Sequence, residues 1–553
     1  MMGTLMGLAA LCLVVLFTSC SRATPAPPII TPTATTVAAP PTAAVMSTKA
    51  VLSPDPNARY GGSLRLAAPE GLAHFDVHLD ALPALSSWGP GLAYSRLLRF
   101  VSGPDVELPN LAVECDLCLR WTMEDDRAFV FELRPDVQWH DPDLVGGRTL
   151  SADDPVFSYE RQRQPGAPNA ALLGSVASFE AAGPLELRVT LAAPDADFML
   201  GLADARSKVV AREAVAVTGD LRGGPTVGTG PWRLADAQDF AYTFGRNPDY
   251  FEEGFPYAET LQVNIVDDPE ARDAAFRTSL LDIVEMEPQE WLAVREDMPD
   301  AQALFVKETG TGLEVGLNAA RPPFDDLRVR RAVFLAQDPW GAIESVWLGA
   351  AYVSPGFPVA DPSWLLERAD LAKYFADPDA ARRLLSKTGE LESVTIRVGN
   401  YGEAYRAHAE RLAEEMRDVG FDARVEVVNR TIFGDAVWLS GDYQMFVGPP
   451  LPVTAPNAYL LSVLHSGGAW NTGGIADAEL DRLIEAQAAE YDPAARRDLI
   501  QRIERRMLDL AISYMPATRV SISVSQPSIR GFHPNFAGFE YTHWARVWID
   551  LQP

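Results

Sequence analysis

Several groups of residues in this chain have the type and spacing to do chemistry. Cys115-Asp-Leu-Cys118 places two thiols three positions apart, which suits a small local disulfide, free thiols, or part of a redox or metal site. Zinc would want four ligands, and no second cysteine pair exists to complete them. His74, Asp76 and His78 alternate, and imidazole with carboxylate is suitable metal chemistry, although a plain loop carries such residues as well. Gly228-Thr-Gly230 has the spacing of a phosphate cradle, but Pro231 removes an N–H where the cradle needs one. Gly310 to Asn318 is a second glycine pattern, with no Lys-Ser/Thr after it to make a nucleotide loop. Neither Gly-x-Ser-x-Gly nor His-Glu-x-x-His occurs, and the chain has only 7 His, which speaks against the common hydrolases. Carboxylates are too numerous for sequence to exclude a glycosidase pair.

Composition narrows the setting. At 553 residues, 47% apolar and 22% charged, the chain exceeds one ordinary domain and reads as soluble and globular. A net charge of −28 repels phosphate and argues against nucleic-acid partners or an anionic membrane surface. Leu5 to Phe17 is an apolar run of signal-peptide size that ends at Thr18-Ser19-Cys20. That ending resembles a bacterial lipoprotein cleavage box, which implies lipidation of Cys20 and an extracytoplasmic place at the cell membrane. Phe17, where Leu or Val is usual, and the lack of Lys or Arg in Met1 to Thr4 depart from the pattern. An uncleaved anchor is the alternative. In such an oxidising compartment Cys115 and Cys118 favour the local disulfide. Residues 24–56 are rich in Thr, Pro and Ala and contain no aromatic residue, the composition of an extended tether reaching at most ~100 Å.

The elements that must position any site start at Tyr60-Gly-Gly-Ser-Leu-Arg-Leu-Ala, a glycine turn entering an alternating strand. Trp121 to Arg134 reads as two strands joined by an acidic turn, with Phe129, Phe131 and Leu133 on one face and Arg-Pro at 134–135 ending the pairing. Ser151 is the expected N-cap of a short helix containing Phe157 and Tyr159. Strands are expected at 175–179, 185–191 and 260–266, and helices at 269–280 and from Asp377 to a stop at Gly389. Val394 to Val398, a long helix to Val419, and Ala423 to Val428 form strand–helix–strand, which suggests a parallel pair. Residues 478–484 and 493–510 are amphipathic helices, and 518–553 returns to strands.

The order of the pieces is more specific than any one of them. Leu133-Arg-Pro-Asp-Val-Gln-Trp-His-Asp141 followed by Ser151-Ala-Asp-Asp-Pro-Val-Phe-Ser-Tyr-Glu160 resembles extracellular solute-binding protein family 5, the peptide- and nickel-type binding subunits of ABC importers. Tyr60-Gly-Gly, Val227-Gly-Thr-Gly-Pro-Trp232, Arg246-Asn-Pro-Asp-Tyr250, Pro322-Pro-Phe-Asp-Asp-Leu-Arg-Val-Arg-Arg-Ala-Val333 and Gly531-Phe532 continue the resemblance in order. It implies a two-lobed α/β periplasmic-binding-protein-like fold (type II, large) with an extra subdomain on the first lobe. The expected boundaries are a signal at 1–20, a tether at 21–58 and a binding domain at 59–553. Within it lobe one takes about 60–103, 225–310 and 520–553, the extra subdomain 104–224, and lobe two 311–519. The resemblance also implies loop structure rather than metal at His74 to His78, no cofactor, no catalysis, and a monomer that hands cargo to a membrane permease. A secreted hydrolase or a repurposed sensor or adhesin is the alternative.

Peptide-binding members place an Asp after the strand corresponding to Asp442 to Val447, where it pairs with the ligand's α-amino group. From Tyr443 to Ala476 this chain has no Asp or Glu. A buried ammonium without a counter-charge is costly, so the expectation is a neutral, acylated or sugar-like ligand in an acid-free cleft, with peptides as the default cargo and oligosaccharides second. His465 to Asn471 lies where the resemblance places cleft residues; Trp470 offers a flat apolar face and Asn471 a donor and an acceptor, so this pair is the leading expectation for ligand contact. Trp438, Phe446, Asn318 and Tyr94 follow, with core packing or a turn role as the plain alternative for each.

Overall fold

The computed structural model describes residues 54–535 and 542–550, together with the backbone of Val45–Met46. One mixed sheet of eleven strands runs through two lobes. In lobe one, Ser63–Ala68 lies parallel to Thr260–Ile265 and to Ile283–Met286, and the hairpin Trp232–Gln238/Ala241–Arg246 extends the edge. In lobe two, Val394–Gly399 lies parallel to both Ala423–Val428 and Met445–Gly448. The helix Glu403–Val419 makes the crossover between the first two, burying Leu412, Ala413 and Met416. This is the strand–helix–strand unit expected from the sequence.

Two long antiparallel strands, Gln302–Leu317 and Ser513–Ser525, pass from one lobe to the other. Their lobe-one ends pair with each other at Gln302 and Ser525, and Ile283–Met286 joins there; at the far end Glu314 to Leu317 pairs with Met445–Gly448. The register shifts between Lys307 and Gly312, midway along the crossing. Gly312 has φ +126, and a Cβ there would stand 2.3 Å from the Ala517 carbonyl oxygen, so only glycine lets the strands cross this closely.

The extra subdomain is an antiparallel sheet, Cys118–Asp125, Ala128–Leu133, Glu186–Leu191 and Val176–Gly183. Phe129, Phe131 and Leu133 are buried and Val130 and Glu132 are not, the alternation seen in the sequence. Val45–Met46, inside the stretch read as tether, pairs with Thr122 and Trp121 and adds a strand to this sheet. Cys115 and Cys118 are joined by a disulfide at its edge. Cys12, Cys20 and the apolar run before them lie outside the described residues.

Some local expectations change. The helix after Ser151 spans Asp153–Gln162 with Ala152 at its cap, and Ser151 does not cap it. Instead the Asp154 carboxylate accepts from the Ser151 backbone N–H at 2.8 Å and its hydroxyl at 3.3 Å, and it also holds Arg148. The helix after Asp377 stops at Leu385, short of Gly389, with Asp377 accepting from the Ala380 N–H.

Candidate ligand-binding cleft

In open α/β sheets ligands bind beyond the carboxyl ends of parallel strands. Both lobes have a concavity there. In lobe one a cavity follows Ser63–Ala68 and Ile283–Met286. Glu70, Glu287, Trp88, Trp544 and Arg519 are among the residues that line it. Arg519 pairs with Glu285, and Glu287 and Glu308 stand 3.8 and 3.7 Å away.

In lobe two a narrow recess lies against the strand Met445–Gly448 and Leu451 beyond it. Met445 and Val447 point into the core, which turns Phe446 the other way, where Tyr443 and Phe433 meet its ring edge-on at 5.2 and 6.0 Å. Gly316 stands opposite Phe446 in the ladder, and a Cβ on it would fall 2.2 Å from the ring. Trp438 rises from the helical turn Gly434–Ser440 onto Phe433. Trp470 completes the aromatic wall.

One acid faces this recess. Glu314 sits in the strand Gln302–Leu317 between Leu313 and Val315, which are fully buried in the core. It is itself 4% exposed, and its Oε1 accepts the Tyr459 hydroxyl at 2.6 Å. Burial pushes its carboxyl up to about 7, and the hydroxyls of Tyr459 and Ser513 pull it only partly back. The recess is therefore not acid-free, because the carboxyl comes from the neighbouring strand rather than from residues 443–476. The only hint in the sequence is a single acid within an otherwise apolar strand, Gly312-Leu-Glu-Val-Gly-Leu317.

Of the residues singled out in the sequence, Trp470, Phe446 and Trp438 meet in this recess. Asn471 does not line it. Its amide donates to the carbonyls of Ile475 and His465 at 2.7 and 3.2 Å, and its oxygen accepts from the Ile475 N–H, so it organises its own turn. Asn318 is likewise spent on structure: it donates to the Gly441 carbonyl and accepts from the Ala320 N–H. Tyr94 is buried in the core shared by lobe one and the extra subdomain, away from the recess. Asp76 is held by Arg161 and accepts the backbone N–H of His78 and Leu221, while His78 Nε2 lies 2.9 Å from the Lys208 carbonyl oxygen. These contacts make a braced loop.

The family described as bacterial extracellular solute-binding proteins, family 5, matches residues 90–472. The chain belongs to this family. Among curated relatives of this family 5 protein, a probable di/tripeptide-binding protein 5 of Pseudomonas aeruginosa is 26% identical over 502 residues, covering 85% of this chain and 92% of the relative. The dipeptide-binding protein of Escherichia coli is 27% identical over 362 residues, 60% of this chain and 65% of that one. Among solved structures, the ABC transporter substrate-binding protein CtaP of Listeria monocytogenes superposes with a TM-score of 0.75 at 16% identity, over 89% of this chain and all of that one (100%). The shared architecture is the two-lobed periplasmic-binding-protein fold.

Proposed function

We propose that this family 5 protein is the extracytoplasmic substrate-binding component of an ABC importer, that it captures short peptides between its lobes, and that it delivers them to a membrane permease. The observation that carries the cargo class is the lobe-two recess, where five aromatic side chains and one buried acid converge beside the crossing strands. Aromatic faces supply contact area at low entropic cost, and a few placed polar groups fix orientation. The di/tripeptide- and dipeptide-binding names of the curated relatives support the same class. Flat rings such as Trp470 also suit sugars, which makes oligosaccharides the second class to test. Cys20 carries the lipid anchor in this reading, the tether ends before the strand Val45–Met46, and the protein works as a monomer that binds and releases without turnover.

A thermal-shift screen of the purified protein against di- and tripeptides and oligosaccharides tests the cargo. A ligand at a hundred times its Kd adds ~2.7 kcal/mol. Stabilisation by peptides supports the reading; stabilisation by oligosaccharides alone replaces it with the second class. Mass spectrometry of the membrane-extracted protein tests the anchor: a diacylglyceryl adduct on Cys20 supports it, and an unmodified thiol rules it out.

A further inference from the structure

The chain enters the extra subdomain after Ser63–Ala68 and leaves it before Trp232–Gln238, both strands of lobe one, so its covalent ties are to that lobe. Its polar ties reach lobe two. Asp195 Oδ1 accepts from the Asn457 side-chain amide at 2.7 Å, and Asp197 Oδ2 accepts from the Asn457 backbone N–H at 2.6 Å. Ala196 N–H donates to the Ala488 carbonyl at 2.8 Å, and Asp195 N–H donates to the Tyr491 hydroxyl at 3.0 Å. That hydroxyl donates in turn to the Asp126 carbonyl at 2.8 Å. Arg496 supplies the counter-charge to Asp197. Apolar contact across the seam is thin, since Ala360 and Tyr491 are the lobe-two residues that pack on the subdomain's core among the described residues. Replacing a buried ion pair by apolar residues of the same volume is often neutral or stabilising, so a seam built to stay shut has no need of one. Small polar interfaces between bodies of one chain are the kind that part.

The same seam touches the recess. Asn457 lies on the turn Pro456–Tyr459, and two residues further on Tyr459 donates its hydroxyl to Glu314 and lines the recess. Leu451 before the turn and Val463 and Leu464 after it are also in the recess wall. One short segment therefore holds the extra subdomain at one end and walls the recess along the rest. The crossing strands shift register between Lys307 and Gly312, which gives lobe two a place to pivot. A pivot there leaves the extra subdomain with lobe one, and the seam is what must part. We infer that Asp195 to Asp197 of the extra subdomain, with Asn457 and Arg496 of lobe two, form a releasable clasp on the recess-lining turn. It holds that turn while the lobes are closed and lets go of it when lobe two swings out. The inference rests on the proposed capture between the lobes for its consequence alone: cargo enters and leaves the recess with the clasp undone.

The experiment is hydrogen exchange read by mass spectrometry, without ligand, on three proteins. They are wild type, Ala196→Cys/Ala488→Cys with the new pair oxidised and then reduced, and Asp197→Ala/Arg496→Met. Ala196 and Ala488 are half-exposed, and their backbone bond keeps them within reach of a disulfide. Wild type under the same reductant controls for Cys115–Cys118. Asp197→Ala/Arg496→Met removes both charges, so neither is left buried alone. Exchange over 451–464 should be about tenfold slower in the oxidised pair than in wild type, and restored on reduction. In Asp197→Ala/Arg496→Met it should be about tenfold faster, while the sheets at 118–133, 176–191 and 394–399 exchange as in wild type. Unchanged exchange over 451–464 in either variant overturns the inference. So does faster exchange that spreads to the sheets, because the network then holds the fold and is no clasp. With no ligand present, these outcomes do not bear on the cargo, and a failed peptide screen leaves the clasp standing.

Discussion

Arg496 of lobe two and Asp197 of the extra subdomain form an ion pair at 2.6 Å, with both side chains less than a tenth exposed. Asn457 sits between them in the network: its backbone N–H donates to Asp197 at 2.6 Å, and its side-chain oxygen accepts from Gln487 at 2.8 Å. Ala196 N–H also donates to the Ala488 carbonyl, and Tyr491 packs on Phe129. These contacts join the extra subdomain to lobe two. Removing one partner strands a buried charge at a cost of roughly 3–5 kcal/mol. Arg496→Met and Asp197→Asn should each lower stability by that order and enlarge the particle in small-angle scattering, whereas the double variant should recover part of the loss. Single variants that stay compact and fully stable would show that the pair does not hold the lobes.

Trp470 and Asn471 are neighbours in sequence with separate jobs. Trp470 is half-buried and faces the recess, so Trp470→Ala should weaken ligand binding by about 2 kcal/mol, some thirtyfold, with little change in melting temperature. Asn471 spends its amide on the turn, so Asn471→Ala should cost roughly 1–3 kcal/mol of stability. Calorimetry and thermal melts on the two variants separate the roles; the opposite assignment of effects would return Asn471 to the ligand.

These two residues also show how far the sequence could be read. Strict alternation at Phe129, Phe131 and Leu133, and the spacing of two strands around one long helix, are local patterns, and local patterns survive into the structure. Trp438, Phe446 and Trp470 stood out in the sequence as aromatic residues, Trp470 in a region where the family resemblance places cleft residues, and the structure brings the three together. The roles of Asn471 and Asn318 were not legible, because an amide that braces a turn and an amide that contacts a ligand look the same until the carbonyls around them are placed. Glu314 was hidden for a different reason. Its neighbour in the recess is set by the register with Gly448, a pairing far along the chain that no local period encodes. Trp88 and Trp544 escape for the same reason, since they meet only across lobe one.

An acid kept in a buried place should cost stability, and the sign can be worked out for Glu314. Its folded value of about 7 lies above its ordinary 4.5, so the folded state holds the proton more tightly. Stability is unaffected at low pH, where both states are protonated, and is lost as pH rises from 4.5 through 7. The full loss is roughly 3 kcal/mol. Glu314→Gln has no charge to bury. Its stability relative to wild type should therefore rise by that order between pH 4 and pH 8, read as chemical-denaturation midpoints. A constant difference across this range would mean the carboxyl titrates normally.

Glu252 gives the opposite sign. Arg99 is buried and holds Glu114 at 2.7 Å and Glu252 at 2.6 Å, with Asp116 at 3.5 Å, joining the segment after lobe one's first strands to the loop at 252. Burial alone would raise the Glu252 carboxyl, but Arg99 overrides it and brings the value from 4.5 down to about 2. A depressed acid stabilises the fold above its ordinary value and loses that contribution as pH falls from 4.5 towards 2, roughly 3 kcal/mol in all. Glu252→Gln should be less stable than wild type by that order at pH 6, and the two should converge by pH 2. Arg99→Lys should not rescue an Arg99→Ala loss in full, because a lysine cannot make the forked contact with both Glu252 oxygens that Arg99 makes at 3.0 and 2.6 Å. Equal melting of wild type and Glu252→Gln at neutral pH would remove this network from the account of stability.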